Sequence, residues 1–296
     1  MDPTRRLPAH LAAHARTFTE SPRQPVEPRP ASTVVLLREG DGAPGGLEVY
    51  LLRRHVGMAF AAGMCVFPGG GVDPRDFDAD IGWVGPTPTA WAGLLDTDEV
   101  FARALVCAAV RETFEESGVL LAGPTTDTVV ADTTGAEWES DRRRLEAREV
   151  SFTDFLERRG LRLRTDLLQL WGSWVTPAFE PRRFDARFFV AEMPGGQVTR
   201  DVSTESDHVV WLPVRDAIRA VDRHEMLMLP PTYCTCLEIY DFARPGDVLA
   251  AAVDRDLSPV RPDVVLEETG AYLTVPDRLV LLREEIAARL AGAREA

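Results

Sequence analysis

The chain has 296 residues, 45% of them hydrophobic, and a formal net charge of −14 at pH 7. This length suits one elaborated domain with a sizeable core, and the acidic balance argues against nucleic-acid binding, which needs a basic surface. All 33 basic residues are Arg, so lysine chemistry such as Schiff-base formation is excluded. With the abundant Ala, this bias indicates a GC-rich bacterial origin.

The four cysteines and five histidines show neither a disulfide framework nor metal-ligand spacing. Reduced thiols in a cytoplasmic protein are therefore expected. The sequence has no eighteen-residue apolar run and no signal-peptide pattern. Neither a membrane partner nor export is predicted.

Residues 1–30 are rich in Pro and Arg and are predicted to form a flexible arm with at most a short helix. The main domain is predicted to span residues 31–296.

The domain begins with two apolar segments, Ser32–Arg38 and Leu47–Arg54, which predict a β-hairpin. Arg53 and Arg54 end the second strand. They are candidate substrate contacts, because guanidinium groups pair well with phosphate. The alternative is that they form only the polar end of a strand.

A short apolar strand then runs into Pro68 and three glycines. Glycines at a strand end allow a ligand to approach the backbone closely, so Gly69 and Gly70 are candidate substrate contacts. Residues 74–98 are rich in Pro, Gly, Asp and Trp and predict a loop with at most a short helix.

A helix of about five turns is predicted from Glu99 to a stop at Gly118. At about 100° per residue, Glu112, Glu115 and Glu116 share one face. Like charges at these spacings destabilise a helix by about 0.2–0.5 kcal/mol per pair. A divalent cation such as Mg²⁺ would relieve this repulsion; a solvated acidic helix end is the alternative.

Gly70 and the run R-E-T-F-E-E-S-G-V, which starts at Arg111, resemble the Nudix box. The box reads G-x5-E-x7-R-E-U-x-E-E-x-G-U, where U is a bulky aliphatic residue. Arg111 comes 41 positions after Gly70 where the box has 14, so about 27 extra residues lie within it.

The first Glu of the box is displaced by this insertion. Counting back from Arg111 places it at Arg103, which is not a carboxylate. The sequence leaves open which nearby carboxylate replaces it: Asp73, Asp96, Asp98 or Glu99.

Residues 120–166 contain two charged helical stretches and no strand pattern. They predict a helical insertion that serves as a lid or a dimer element, so a homodimer is a candidate assembly. Two strands are predicted next, over 167–177 and 183–193. Arg183 is a candidate substrate contact, with an edge-strand ion pair as the alternative.

Glu205 lies in an acidic loop that enters a further strand. Many Nudix proteins carry an additional metal-binding Glu at such a place, so the resemblance makes Glu205 a candidate ligand. An amphipathic helix is predicted over 276–293.

The Nudix resemblance implies an α/β/α sandwich with a mixed sheet. It also implies metal-dependent hydrolysis of a small nucleoside diphosphate derivative, with Glu112, Glu115 and Glu116 as ligands of Mg²⁺ or Mn²⁺. Glu112, Glu115 and Arg111 would be the catalytic residues.

The inserted box, with W-V-T-P and P-R-R-F-D-A-R-F-F downstream, resembles the branch typified by the acyl-coenzyme A diphosphatases. This resemblance favours coenzyme A or acyl-coenzyme A as the substrate. A nucleotide sugar, ADP-ribose or dinucleotide substrate is the alternative among enzymes. A Nudix-fold module that binds a nucleotide without turnover is the alternative from another class.

Overall fold

The computed structural model describes residues 5–21, 23–57, 61–77, 81–268 and 270–292. Over these residues the strands are β1 (Arg29–Arg38), β2 (Glu48–Arg54), β3 (Cys65–Val66), β4 (Gly69–Gly71), β5 (Trp83–Val84), β6 (Ala122–Gly123), β7 (Arg162–Arg164), β8 (Leu168–Val175), β9 (Phe184–Glu192), β10 (Ser206–Pro213), β11 (Val264–Glu267) and β12 (Gly270–Leu273). The helices are α1 (Ala9–Glu20), α2 (Pro88–Leu95), α3 (Glu99–Ser117), α4 (Ala136–Glu146), α5 (Phe152–Arg158), α6 (Val214–Asp222), α7 (Pro230–Glu238), α8 (Pro245–Ala251) and α9 (Asp277–Gly292).

A mixed sheet of seven strands, counted over the described ranges, forms the centre of the fold. Its order is β10-β2-β1-β9-β8, with β3 added to β2 and β4 added to β1. The β1–β9 pair is parallel, and the other pairs are antiparallel. The predicted hairpin of the first two strands is present.

Strand β1 is buried on both faces, as expected for a central strand. Val34 and Leu36 pack in one apolar cluster with helix α3, and Val35 and Leu37 pack in a second cluster with α6, α7 and α9. Helices therefore cover both faces of the sheet. This arrangement confirms the predicted α/β/α sandwich.

Helix α3 is fixed at both ends and along its length. The Asp98 side chain caps its N-terminus by accepting from Phe101 N at 2.8 Å. Gly118 ends it in the left-handed conformation, with φ of 75°. Ser32 Oγ on β1 donates to the carbonyl of Leu105 at 2.7 Å, so the helix is tied directly to the central strand.

The described part of the arm predicted for residues 1–30 agrees with the prediction of at most a short helix. It contains the twelve-residue helix α1, and β1 already begins at Arg29. Ala12 and Ala15 are buried, and Ala15 packs with Phe179 and with Leu273 of β12. This apolar contact holds the arm against the domain.

Both insertions contain more regular structure than predicted. Residues 74–98 hold a 3₁₀ turn, strand β5 and helix α2, whose Trp91 is fully buried. Residues 120–166 contain the two expected helices, α4 and α5, but also β6 and β7, which join β5 in a small sheet. The prediction that this region has no strand was wrong, because strands of two or three residues are too short to show an alternating pattern.

Helix α9 occupies the position predicted for the C-terminal helix and packs against α7. Over the described ranges, every helix is too short or too polar to span a bilayer.

Candidate active site

The last two turns of α3 carry the acidic residues singled out in the sequence. Glu112, Glu115 and Glu116 gather beneath the glycine strand β4, and Arg111 lies among them at 8% exposure. The predicted clustering of these four side chains is therefore present in the structure.

The Arg111 guanidinium connects three segments of the site. Its Nη1 donates to Oε1 of Glu112 at 2.8 Å and to Oε1 of Glu115 at 3.3 Å. Its Nη2 donates to the carbonyl of Gly71 at 3.0 Å. Its remaining bonds go to Asp76: Nε to Oδ1 and Nη2 to Oδ2, both at 2.9 Å. Arg111 thus fixes the helix to the glycine strand and to the 3₁₀ turn that follows it.

Asp76 was missed by the sequence analysis. It is 2% exposed and forms a bidentate ion pair with Arg111. It comes six positions after Gly70, where G-x5-E places the first acidic residue. Counting forward from Gly70 would have found it, whereas counting back from Arg111 crossed the insertion.

The four carboxylates considered earlier have other contacts. Asp98 caps α3, and Glu99 accepts from Thr89 on α2. Asp73 pairs with Arg75, and Asp96 ends α2 in the left-handed conformation. Asp76, with Asp in place of Glu, occupies the position of the first box carboxylate, and the extra residues lie between it and Arg111.

The glycines of β4 allow the strand to lie directly against the carboxylates. Gly69 N donates to Oε2 of Glu116 at 2.7 Å. A Cβ atom added at Gly70 would lie 2.5 Å from the Glu112 carboxylate carbon, well inside van der Waals contact. Any larger residue at this position would displace Glu112.

Burial and mutual repulsion make these carboxylates hard to ionise. Burial is the main cause of the raised pKa of Glu115, to about 8, with the charge of Glu112 adding to it. Burial also raises the pKa of Glu112 and, more strongly, that of Glu116. The Arg111 charge opposes the shift at Glu112 and Glu115 but is shared with Asp76. The site therefore holds more carboxyl groups than Arg111 alone could neutralise if all of them were ionised.

This donor set fits a hard divalent cation, which takes carboxylate oxygens and neutralises their repulsion. In the described ranges, no three His, Cys, Asp or Glu side chains already converge as a metal-binding group. Arg111 Nη1 binds one oxygen each of Glu112 and Glu115 in this structure.

Glu205 and Arg54 lie at the edge of the cluster. Arg54 Nη2 contacts Glu205 Oε2 at 2.9 Å. Burial is the largest cause of the raised pKa values of Glu112 and Glu116. The charge of Glu205 raises both pKa values further, and the charge of Arg54 lowers the pKa of Glu116. Arg54 Nε is buried without a hydrogen-bond partner in the described part of the chain.

Two of the predicted substrate contacts lie elsewhere. Arg53 and Arg54 are consecutive residues of β2, so their side chains project to opposite faces of the sheet. Arg53 pairs with Asp207. Arg183 donates to the carbonyls of Thr176 and Val26, which ties the β8–β9 connection to the N-terminal arm. These bonds explain Arg183 structurally, without a substrate.

Comparison with known proteins agrees with this geometry. The family model described as the NUDT19 Nudix domain matches residues 88–242, more than half of the chain. The chain is 26% identical over 268 residues to the acyl-coenzyme A diphosphatase NUDT19 of Xenopus laevis, covering 77% of this chain and 70% of that protein. It is 27% identical over 286 residues to the human protein of the same name, covering 80% and 73%.

A crystal structure of a NUDIX hydrolase from Alicyclobacillus acidocaldarius has a similar fold. The TM-score is 0.65 at 27% sequence identity, over 76% of this chain and 96% of that one. This similarity supports the Nudix fold over about three quarters of the chain.

Proposed function

The chain belongs to the NUDT19 Nudix domain family, and from this premise we propose that it is a metal-dependent diphosphatase of coenzyme A or an acyl-coenzyme A. The relatives named as acyl-coenzyme A diphosphatases match most of the chain and favour this substrate class. The reaction would add water across the diphosphate, giving adenosine 3′,5′-bisphosphate and a phosphopantetheine product.

The proposal rests on the buried carboxylates of Glu112, Glu115 and Glu116 on α3, which lie against β4, a strand made only of glycines. Buried carboxylates with raised pKa values destabilise a fold, so a group of them is found chiefly at functional sites. Glu112, Glu115 and Glu116 would hold Mg²⁺ or Mn²⁺, with Glu205 as a further ligand. When bound, the ion supplies positive charge for the diphosphate oxygens and lowers the pKa of a nearby water.

The protein's own side chains have separable tasks in this scheme. Arg111 orients Glu112 and Glu115, and Asp76 orients Arg111. Glu112 or Glu115 accepts the proton of the attacking water, which suits carboxylates whose pKa lies above the ordinary range. The bare face of Gly69 and Gly70 lets the diphosphate approach.

Arg54 is the better placed of the two β2 arginines to contact a phosphate. It lies on the catalytic face, and its buried Nε is a donor without an acceptor in the described residues. A phosphate oxygen would satisfy it, and the guanidinium would add charge complementarity. Arg53 and Arg183 are not part of this proposal, because their contacts lie away from the cluster.

The test is chromatographic detection of product from a substrate panel. It contains coenzyme A, acetyl- and longer acyl-coenzyme A, ADP-ribose, NADH and deoxynucleoside triphosphates, each with Mg²⁺ and with Mn²⁺. Glu115→Gln is compared with Glu137→Gln, a matched change at an exposed position on α4. We expect turnover of the coenzyme A set, lost in Glu115→Gln and kept in Glu137→Gln.

The other outcomes separate the alternatives. Turnover confined to ADP-ribose or NADH would keep the site and overturn the substrate. Nucleotide binding without turnover of any member would favour the non-catalytic module.

A further inference from the structure

A buried arginine of the helical insertion lies at the base of the catalytic helix. Arg142 on α4 is 1% exposed, and its guanidinium donates to two carboxylates and two main-chain carbonyls. Its Nε and Nη2 donate to Glu139 at 3.0 and 2.9 Å, and Nη1 donates to Glu146 at 3.0 Å. Nη1 also donates to the carbonyl of Glu115 at 2.7 Å, and Nη2 to that of Val202 at 2.9 Å. These bonds use all five N–H groups of the side chain.

Glu146 extends the network to the loop that carries Glu205. Its Oε2 accepts from Arg142, and its Oε1 accepts from the amide and hydroxyl of Thr204, at 3.0 and 2.7 Å. Thr204 directly precedes Glu205. A continuous set of hydrogen bonds therefore joins the carbonyl of Glu115 to the residue beside Glu205.

The same region also binds two further carbonyls at the end of α3, those of Ser117 and Gly118. A helix leaves its last carbonyls without partners inside the helix. Here Arg200 N donates to the carbonyl of Ser117 at 2.9 Å, and Thr133 Oγ1 donates to that of Gly118 at 2.6 Å. Arg200 also pairs with Glu139 at 2.9 Å. The buried positive charge of Arg142 is favourable at this negative end of the helix dipole.

The main chain at Glu205 is tied to the end of β2 by the bond from His55 N to the Glu205 carbonyl at 2.9 Å, but this bond does not fix the side chain. Strand β10 begins one residue later, and its register against β2 shifts between Ser206 and His208. The Glu205 side chain is 49% exposed, so its ion pair with Arg54 is a weak restraint. The Arg142–Glu146–Thr204 bonds add a restraint at the residue before Glu205: Arg142 is buried, and the bonds from Thr204 to Glu146 are exposed.

We propose that Arg142 and Glu146 are positioning residues that hold Glu205 against the last turn of α3, so that it completes the ligand set begun by Glu112 and Glu116. This rests on the metal site of the proposed function. It gives the insertion a role different from a lid, because opening it would break all five hydrogen bonds of the buried Arg142 side chain. The insertion acts as a fixed support for the site.

The test is a double-mutant cycle on Mn²⁺ affinity, measured by calorimetric titration of the metal-free protein. Glu146→Gln places an amide donor against either Arg142 or Thr204, so one link of the network is lost. We expect about a tenfold loss of affinity, as is typical for groups that orient metal ligands. In a Glu205→Gln background the same change should cost less than twofold, because the residue it positions no longer binds.

Two further variants keep the test decisive. Thr204→Val removes only the hydroxyl bond and should follow the same pattern with a smaller loss. Arg143→Gln is the matched control: Arg143 is an exposed arginine of α4 that pairs with the same Glu139, and its loss should leave affinity unchanged. Hydrogen exchange of the metal-free protein should show faster exchange at the Thr204 amide in Glu146→Gln.

Equal losses of affinity in both backgrounds would overturn the inference, because Glu146 would then stabilise α3 rather than Glu205. No loss in Glu146→Gln would overturn it as well. A wild type that binds Mn²⁺ but does not hydrolyse any coenzyme A would refute the proposed substrate and leave the cycle to decide the positioning role. A wild type that binds no Mn²⁺ would overturn both the metal site and the inference.

Discussion

Replacing Asp76 by Ala should destabilise the metal-free protein by about 3 kcal/mol. Removing one partner of a buried ion pair typically costs about 3–5 kcal/mol, because the other charge is left without compensation. Asp76 is 2% exposed and accepts two bonds from Arg111 and one from Asp73 N. The low end of the range applies, since Arg111 keeps its contacts with Glu112 and Glu115.

Thermal and urea unfolding in EDTA would measure this loss. At roughly 2–4 °C per kcal/mol for a domain of this size, the melting temperature should fall by about 6–12 °C. Asp247→Ala is the control, because Asp247 forms an exposed ion pair with Arg244 that should leave the melting temperature unchanged. In an Arg111→Met background, Asp76→Ala should cost less by about 2 kcal/mol. If Asp76→Ala lowers the free energy of unfolding of the otherwise wild-type protein by less than 1 kcal/mol, the anchoring role of Asp76 is refuted.

The remaining predictions concern the carboxylates and the glycine strand. In the folded state the pKa of Glu115 is raised from 4.5 to about 8, so the metal-free protein loses stability as the pH rises between these two values. The melting temperature of Glu115→Gln in EDTA should therefore rise relative to that of the wild type from pH 5 to pH 8. A difference in melting temperature that stays constant with pH would contradict this. Glu116→Gln keeps an acceptor for Gly69 N but removes a buried ionisable group. It should raise the melting temperature in EDTA and lower kcat more than tenfold. An unchanged kcat would show that Glu116 is not part of the active site. Gly70→Ala would place a methyl group against the Glu112 carboxylate, so Mn²⁺ affinity measured by titration should fall at least tenfold; wild-type affinity would show that the strand moves freely. Arg54→Met should raise KM for coenzyme A more than it lowers kcat in steady-state assays, and the reverse split would argue against phosphate contact.

The sequence is most informative where one side chain pattern extends over a long element. The face of α3 with Glu112, Glu115 and Glu116 could be predicted because nineteen helical residues repeat one period. Strands β1, β2, β8 and β9 could be predicted for the same reason. Strands β5, β6 and β7 could not, since each is defined by its pairing and not by its own two or three residues.

The contacts of single arginines were the least predictable part of the site. Arg53 and Arg54 are adjacent and chemically identical, yet the alternation of the strand sends one to Asp207 and the other to Glu205. The burial of Arg142 could not be predicted either. In the sequence it is one of three consecutive arginines in a charged helix, and only the packing of α4 on α3 distinguishes it from Arg143.

The insertion within the box changes the sequence spacing without moving the residues that the spacing connects. Asp76 and Arg111 are separated by 34 residues where the box has seven. By loop-closure entropy alone, this lengthening costs about 1.4 kcal/mol. The insertion also adds apolar contacts of its own, because the Trp91 ring is buried against Phe189 in the core. Because β4 pairs with β1, and Ser32 of β1 bonds to α3, both ends of the insertion are fixed by the sheet. The ion pair between Asp76 and Arg111 is therefore compatible with a long insertion, and the spacing of a box is a weaker criterion than the contact it encodes.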